Sequence, residues 1–213
     1  MKGIIFDLDG VICSTDAYHY RAWKQKFREI GIDLTEQVNN LLRGVSRMAG
    51  LDRILELYGA EMSAEEKLTF AEEKNALYVQ SLGAMSPADL DPSVKETLDT
   101  LRERGFKLAI GSSSKNALYV LERIGLAGYF DAVSDGNGIA RSKPDPEVFL
   151  RAAKLIGLSP SECLVVEDAV SGVDAAADSG FTSVAMGDAA GYERADFRIE
   201  RFSELLPIAG FPE

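Results

Sequence analysis

From about residue 93 to residue 185, short apolar runs alternate with stretches of helical spacing, and this rhythm constrains the fold more than any other feature. The runs are Phe106-Lys107-Leu108-Ala109-Ile110, residues 130–134, Cys163-Leu164-Val165-Val166 and Thr182-Ser183-Val184-Ala185, with Gly3-Ile4-Ile5-Phe6 as an earlier member. Runs so short and so apolar are strands buried on both faces, as in a parallel sheet covered by helices on each side. The spacing predicts helices over 93–104, 116–124, 146–156 and 172–179. Gly105 and Gly125 follow two of them, and Asp145 and Pro146 stand as N-cap and first-turn residue of the third. The expected class is therefore α/β, with a doubly wound, mostly parallel sheet.

Residues 14–80 break this rhythm. Ala17, Tyr20, Trp23, Phe27 and Ile30 recur at intervals of three and four before Gly31, and further helices are predicted over 46–58 and 63–80. No strand pattern interrupts them. The reading is a two-part chain: residues 1–13 and 81–213 form the α/β core, and 14–80 an inserted all-helical module. A length of 213 residues accommodates both.

The formal net charge of −11 argues against nucleic acid and anionic membranes as partners. It also means that a phosphate-binding site would need its own local positive charge. Cys13 and Cys163, the only two cysteines, are expected to be buried free thiols, which suits a reducing cytoplasm. No apolar stretch approaches the ~18–20 residues that span a bilayer, and the start of the chain carries no signal-peptide pattern. Nothing in the sequence calls for more than a monomer.

In parallel α/β sheets ligands bind beyond the carboxyl ends of the strands, so the loops there carry the information. After the first strand comes Asp7-Leu8-Asp9-Gly10, and after the second Gly111-Ser112-Ser113-Ser114-Lys115-Asn116. Ser142-Lys143-Pro144 precedes the 146–156 helix, and Glu167-Asp168 ends the fourth strand. Asp7 and Asp9 flank one apolar residue, so an extended backbone turns both carboxylates the same way. A lone Asp-x-Asp reads as a solvated turn. A second acidic cluster at another strand end makes an anion density that a hard divalent cation, magnesium, would neutralise. Ser112, Ser114, Lys115 and Asn116 could cradle a phosphate at a helix start, although Ser114 or Asn116 would also serve as a simple cap. Lys143, its backbone held by neighbouring prolines, could neutralise charge on a transferring phosphoryl group, or be a solvated lysine. His19 is the only histidine, with Trp23 one helical turn later. Composition alone would make the first a surface residue and the second packing within the module.

These four loops, in this order, resemble the haloacid dehalogenase superfamily across essentially the whole chain. Within it, Asp-Ala-Tyr-His-Tyr-Arg-Ala-Trp-Lys (16–24), Arg-Gly-Val-Ser-Arg (43–47), Ser-Pro-Ala-Asp (86–89), Ser-Lys-Asn (114–116) and Leu-Glu-Arg-Ile-Gly-Leu-Ala-Gly-Tyr-Phe-Asp-Ala (121–132) are similar to the superfamily's sugar phosphomutases. The resemblance implies a doubly wound core with a helical cap inserted after the first strand. It implies an isomerase that interconverts β-glucose 1-phosphate and glucose 6-phosphate through phosphorylated Asp7 and a β-glucose 1,6-bisphosphate intermediate. Asp9 would act as general acid and base. One magnesium ion would be held by Asp7, Asp168 and the Asp9 backbone carbonyl, with Glu167 as a further ligand or supporting partner. Ser112 and Lys143 would hold the transferring phosphoryl. Arg47, Ser114, Lys115 and Asn116 would face the other phosphate, and His19, Trp23, Arg43, Gly44, Val45 and Ser46 the sugar. Two departures stand out: Arg43 replaces a lysine, and Cys13-Ser14 occupies a hinge where threonine and an acidic residue are expected.

Two other readings compete. A cap-bearing phosphatase for a small sugar phosphate or phosphoglycolate would use the same four loops, with water as the acceptor. A signalling receiver domain is also parallel α/β with carboxylates, a hydroxyl and a lysine. It has no place for the helical insertion.

Overall fold

The computed structural model describes residues 1–42 and 45–210. Six strands form one parallel sheet: β1 (Gly3–Phe6), β2 (Lys107–Gly111), β3 (Ala132–Ser134), β4 (Cys163–Glu167), β5 (Thr182–Ala185) and β6 (Phe197–Arg198), in the order β3-β2-β1-β4-β5-β6. Strand β1 is central, with Ile4 opposite Leu108 on one side and Leu164 on the other.

Period-two alternation explains why both faces are covered. Ile4, Phe6, Leu108, Ile110, Leu164 and Val166 point into one apolar cluster with Val94, Leu98 and Leu101 of α5 (Pro92–Glu103) and Val120 and Leu121 of α6 (Ala117–Arg123). The intervening Ile5, Ala109 and Val165 point the other way. There they meet Val148, Phe149 and Ala152 of α7 (Glu147–Leu155) and Ala175 and Ala176 of α8 (Val170–Ala177). A short last helix, α9 (Leu205–Ile208), adds Leu205 to the first cluster. This is the doubly wound sheet expected from the sequence.

Between β1 and β2 lie α1 (Asp16–Glu29), α2 (Glu36–Asn40), α3 (Arg47–Tyr58) and α4 (Ala64–Leu82). They share a separate cluster of Trp23, Phe27, Leu34, Leu51, Ile54, Leu55, Phe70 and Ala71. Helix α4 opens on a capping box in which Ser63 accepts from the Glu66 amide and the Glu66 carboxylate accepts from the Ser63 amide. It then straddles the two regions. Phe70 and Ala71 belong to the inserted cluster, whereas Tyr78 and Leu82 join the cluster on the sheet. Among the described residues no helix is long and apolar enough to cross a membrane, and Cys13 and Cys163 are buried and free.

The differences from the sequence reading are local. Helix α2 and strand β6 were not predicted, because five and two residues are too few to display a period. Helix α8 begins at Val170 rather than near Gly172. Helix α7 begins at Glu147, which puts Pro146 rather than Asp145 in the cap position, yet the Asp145 carboxylate still accepts from the Glu147 amide at 3.0 Å. Pro146 lacks an N–H, so the first orphan donor to be satisfied is that of Glu147.

The end of β2 is crowded. A Cβ at Gly111 would lie 2.6 and 2.9 Å from Phe149 ring carbons and 3.1 Å from Ile5. Gly111→Ala is therefore expected to destabilise the chain by about 1–3 kcal/mol in urea unfolding, with Phe149→Leu in the same chain recovering part of the loss. Unchanged stability in the single variant would contradict this packing.

Candidate active site

The central strands deliver the acidic groups. The Asp7 amide continues the ladder by donating to Val166 O at 2.9 Å, which fixes Asp7 just beyond the sheet. Glu167 ends β4 and Asp168 follows it. Carboxylate oxygens of Asp7, Glu167 and Asp168 lie within 4.8 Å of one another, and all three residues are buried. Gly10, with φ +82°, passes so close to the Asp168 carboxylate that any Cβ would occupy its space.

Lys143 enters from the loop before α7 with its side chain 0% exposed, placing Nζ 2.5 Å from Asp7 Oδ1 and in hydrogen bond with Glu167 Oε1. Burial works against the ammonium, but the two carboxylates outweigh it and hold the Lys143 pKa above its ordinary value. Burial pushes Glu167 upward, opposed by Lys143. Three buried carboxylates against one ammonium leave an excess of negative charge in a low-dielectric place. This all-oxygen donor set fits a hard divalent cation such as magnesium.

Asp9 sits in a tight turn. Leu8 O accepts from the amides of Ile12 and Cys13 at 3.0 and 3.2 Å, and Gly10 N donates to Cys13 O at 2.7 Å. The Asp9 carboxylate accepts from the hydroxyl of Thr15, a buried residue at the start of α1, and stands apart from the three-carboxylate group. Burial and then the Asp7 charge push the Asp9 carboxyl up to about 7, against the Thr15 hydrogen bond, which lowers it. Thr15 went unnoticed in the sequence because a Ser-Thr before a helix reads as a cap. Its side chain caps nothing and turns to Asp9 instead.

Across a cavity of about 540 Å³ lie the remaining groups. Buried Ser112 accepts from the Ser114 amide at 3.2 Å, and Ser114 accepts from the Asn116 amide at 3.2 Å. Asn116 occupies the N-cap position of α6 without capping it. Its amide donates instead to Asn75 Oδ1 on α4 at 2.8 Å, and Arg47 Nη2 donates to the same oxygen at 2.7 Å. His19 stacks on Tyr78 with centroids 3.9 Å apart and contacts Lys74 Nζ through Nδ1 at 2.8 Å. Burial, then the charges of Lys74 and Arg47, hold His19 well below its ordinary pKa, so the imidazole is neutral. Trp23 is buried in the helical cluster, with Lys74 Nζ 4.4 Å from its ring centroid.

Of the residues singled out from the sequence, Asp7, Asp9, His19, Trp23, Val45, Ser46, Arg47, Ser112, Ser114, Lys115, Asn116, Lys143 and Asp168 line this one cavity. Glu167 stands behind Lys143. The Ser46 hydroxyl is engaged as the N-cap of α3, accepting from Ala49 N at 3.3 Å. Arg43 and Gly44 lie outside the described residues. Lys74 and Asn75 were missed, though a signal existed. Phe70, Ala71, Lys74, Tyr78 and Leu82 form the buried face of α4, and a lysine in such a stripe needs a reason.

Burial and then the Arg47 charge bring the Lys74 pKa from 10.5 down to about 7. The unfolded chain keeps that proton to its ordinary pKa, so between about pH 7 and 10.5 it binds more protons than the folded chain, and this residue's contribution to stability rises with pH. The stability of the wild type minus that of Lys74→Met, from urea unfolding, is expected to increase across this window. A flat difference would contradict the assignment.

The family profile for haloacid dehalogenase-like hydrolases matches residues 1–180. A β-phosphoglucomutase of Bacillus subtilis is 36% identical over 96% of this chain and 92% of its own length. The crystal structure of a β-phosphoglucomutase from Clostridium difficile superposes with a TM-score of 0.91 at 37% identity, covering 96% of this chain and 93% of that one. A phosphorylated carbohydrates phosphatase of Thermotoga maritima is 30% identical over 86% of this chain and 84% of its own. The chain belongs to the haloacid dehalogenase-like hydrolase family and, within it, is a homologue of the β-phosphoglucomutases.

Proposed function

We propose that the chain interconverts β-glucose 1-phosphate and glucose 6-phosphate, with Asp7 as the group that carries the phosphoryl between them. The observation that carries this reading is a single cavity lined by two sets of anion-binding groups. Ser112 and Lys143, beside the Asp7 carboxylate that would attack, form one, and Arg47, Ser114, Lys115 and Asn116 the other. A phosphatase needs only the first. A bisphosphate intermediate that turns end for end needs both.

In one half-reaction an Asp7 oxygen attacks the phosphorus of the 1-phosphate of β-glucose 1,6-bisphosphate, the bond from that phosphorus to the anomeric oxygen breaks, and Asp9 gives that oxygen its proton, leaving glucose 6-phosphate and phosphorylated Asp7. Near pH 7 the raised Asp9 carboxyl can both hold and return a proton, which suits it to the reverse step. There Asp9 takes the proton of a hydroxyl on β-glucose 1-phosphate as that oxygen attacks phosphorylated Asp7. Ser112 and Lys143 would hold the transferring phosphoryl, Lys143 offsetting its charge. His19, Trp23, Val45 and Ser46 would orient the sugar, together with Arg43 and Gly44. Asp7, Asp168 and the Asp9 backbone carbonyl, supported by Glu167, would hold magnesium, which supplies electrophilic polarisation of the phosphoryl group when bound. The helical module at 14–80 would close over the core at 1–13 and 81–213 and keep water, at ~55 M, from the aspartyl phosphate. The two buried free thiols support a cytoplasmic setting, and the net charge of −11 weighs against nucleic acid and anionic membranes as partners of what we read as a monomer acting on a small sugar phosphate.

The direct test supplies β-glucose 1-phosphate, magnesium and a trace of the 1,6-bisphosphate. Glucose 6-phosphate should form without inorganic phosphate, and stoichiometric phosphate release would instead support a phosphatase. Asp7→Asn should abolish transfer while the chain still folds with a cooperative melt, and full activity in that variant would remove the nucleophile from the scheme. Magnesium should raise the melting temperature of the wild type by binding the folded state, and Asp168→Asn should lose most of that rise. An equal rise in both would displace the metal from this carboxylate group.

A further inference from the structure

We propose that Asn75 is a positioning residue that draws Arg47 and Asn116 onto one point, so that docking of the helical module and binding of the distal phosphate become a single event. This rests on the mutase reading above.

Asn75 stands on α4, in the helical insertion. Its Oδ1 accepts from Arg47 Nη2 at 2.7 Å, from the first turn of α3, and from Asn116 Nδ2 at 2.8 Å, at the start of α6 on the core. One carbonyl oxygen has two lone pairs, and both are used. The two donors come from different regions, one from the insertion and one from the core, and both line the cavity that Asn75 also lines. Each keeps donors in reserve, because a guanidinium has five N–H groups and a side-chain amide two. Arg47 and Asn116 are therefore held side by side with N–H groups that no other hydrogen bond among the described residues uses, an arrangement that matches the oxygens of a phosphate monoester.

The residue type fits this task and little else. A carboxylate at this position would pair with Arg47 and repel an incoming phosphate. An aliphatic side chain would release both donors, and Arg47, whose charge is already disfavoured by burial, would lose a partner. A neutral acceptor with two lone pairs satisfies both requirements. Asn116 makes no capping bond in its own helix, and this contact accounts for its orientation.

The test compares wild type, Asn75→Ala and Asn75→Asp with two phosphoryl donors in magnesium: β-glucose 1,6-bisphosphate, which carries a distal phosphate, and p-nitrophenyl phosphate, which has none. The ratio of kcat/KM for the bisphosphate to that for p-nitrophenyl phosphate is expected to fall about tenfold in Asn75→Ala and further in Asn75→Asp, mostly through KM for the bisphosphate. Equal losses on both donors, or a ratio within twofold of wild type, would overturn the proposal. Should Asn75→Ala fail to show a wild-type thermal melt, the nearly isosteric Asn75→Asp decides alone. Donor consumption is measured whether a sugar or water accepts the phosphoryl. Failure of the mutase reading, seen as the absence of glucose 6-phosphate with wild type, is therefore a separate result.

Discussion

One buried ammonium organises the centre. Lys143 bridges carboxylates at the ends of β1 and β4, the two strands at the middle of the sheet, and it does so with no exposed side-chain surface. Burying such a charge is costly unless it is paired, and removing one partner of a buried pair costs more than the pair contributes. Asp7, Glu167 and Lys143 therefore hold one another in place, and the register of β1 against β4 decides whether they can. The Phe149 ring, 4.7 Å from Nζ, closes the apolar side of this arrangement. The crowding of Phe149 on Gly111 ties the same residue to the end of β2, where Ser112 begins.

Among the described residues, polar contacts around the cavity tie the helical insertion to this centre and within itself. Thr15 holds Asp9 at the entrance to α1, Lys74 holds His19 within the insertion, and Asn75 holds Arg47 together with Asn116 of the core. Each is short-range and directional, whereas the apolar clusters of the insertion and of the sheet are largely separate, joined through the second half of α4 and through Ala22 of α1. Burial keeps the two regions individually intact. Hydrogen bonds at the cavity decide how they face each other, and a phosphate-sized anion would engage the same donors.

How much of this the sequence discloses depends on the range of the interaction. The central strands announce themselves through apolar runs, and their ends through acids, because burial and ligand position are both consequences of the parallel sheet. Helix α2 and strand β6 lie below the length at which a period is visible. Thr15 and Asn75 escape for another reason. Each looks like an ordinary polar residue of a helix or its cap, and its role comes from a partner on a different element. Lys74 was legible in principle as a charge in an apolar stripe. The displacement of the α7 start by one residue shows the remaining limit, since a cap is set by which amide goes unsatisfied.

The place of β1 also has a consequence for the order of assembly. Its partners are residues 107–110 and 163–166, so β1 cannot be enclosed until the second of these segments has been synthesised. The helical insertion, built from contacts within residues 20–71, can gather much earlier. Local structure forms fast and long-range parallel pairing forms slowly. Asp7 thus leaves the ribosome long before it acquires its surroundings, and a nascent chain stalled before β4 would hold a gathered helical insertion beside a centre that does not yet exist.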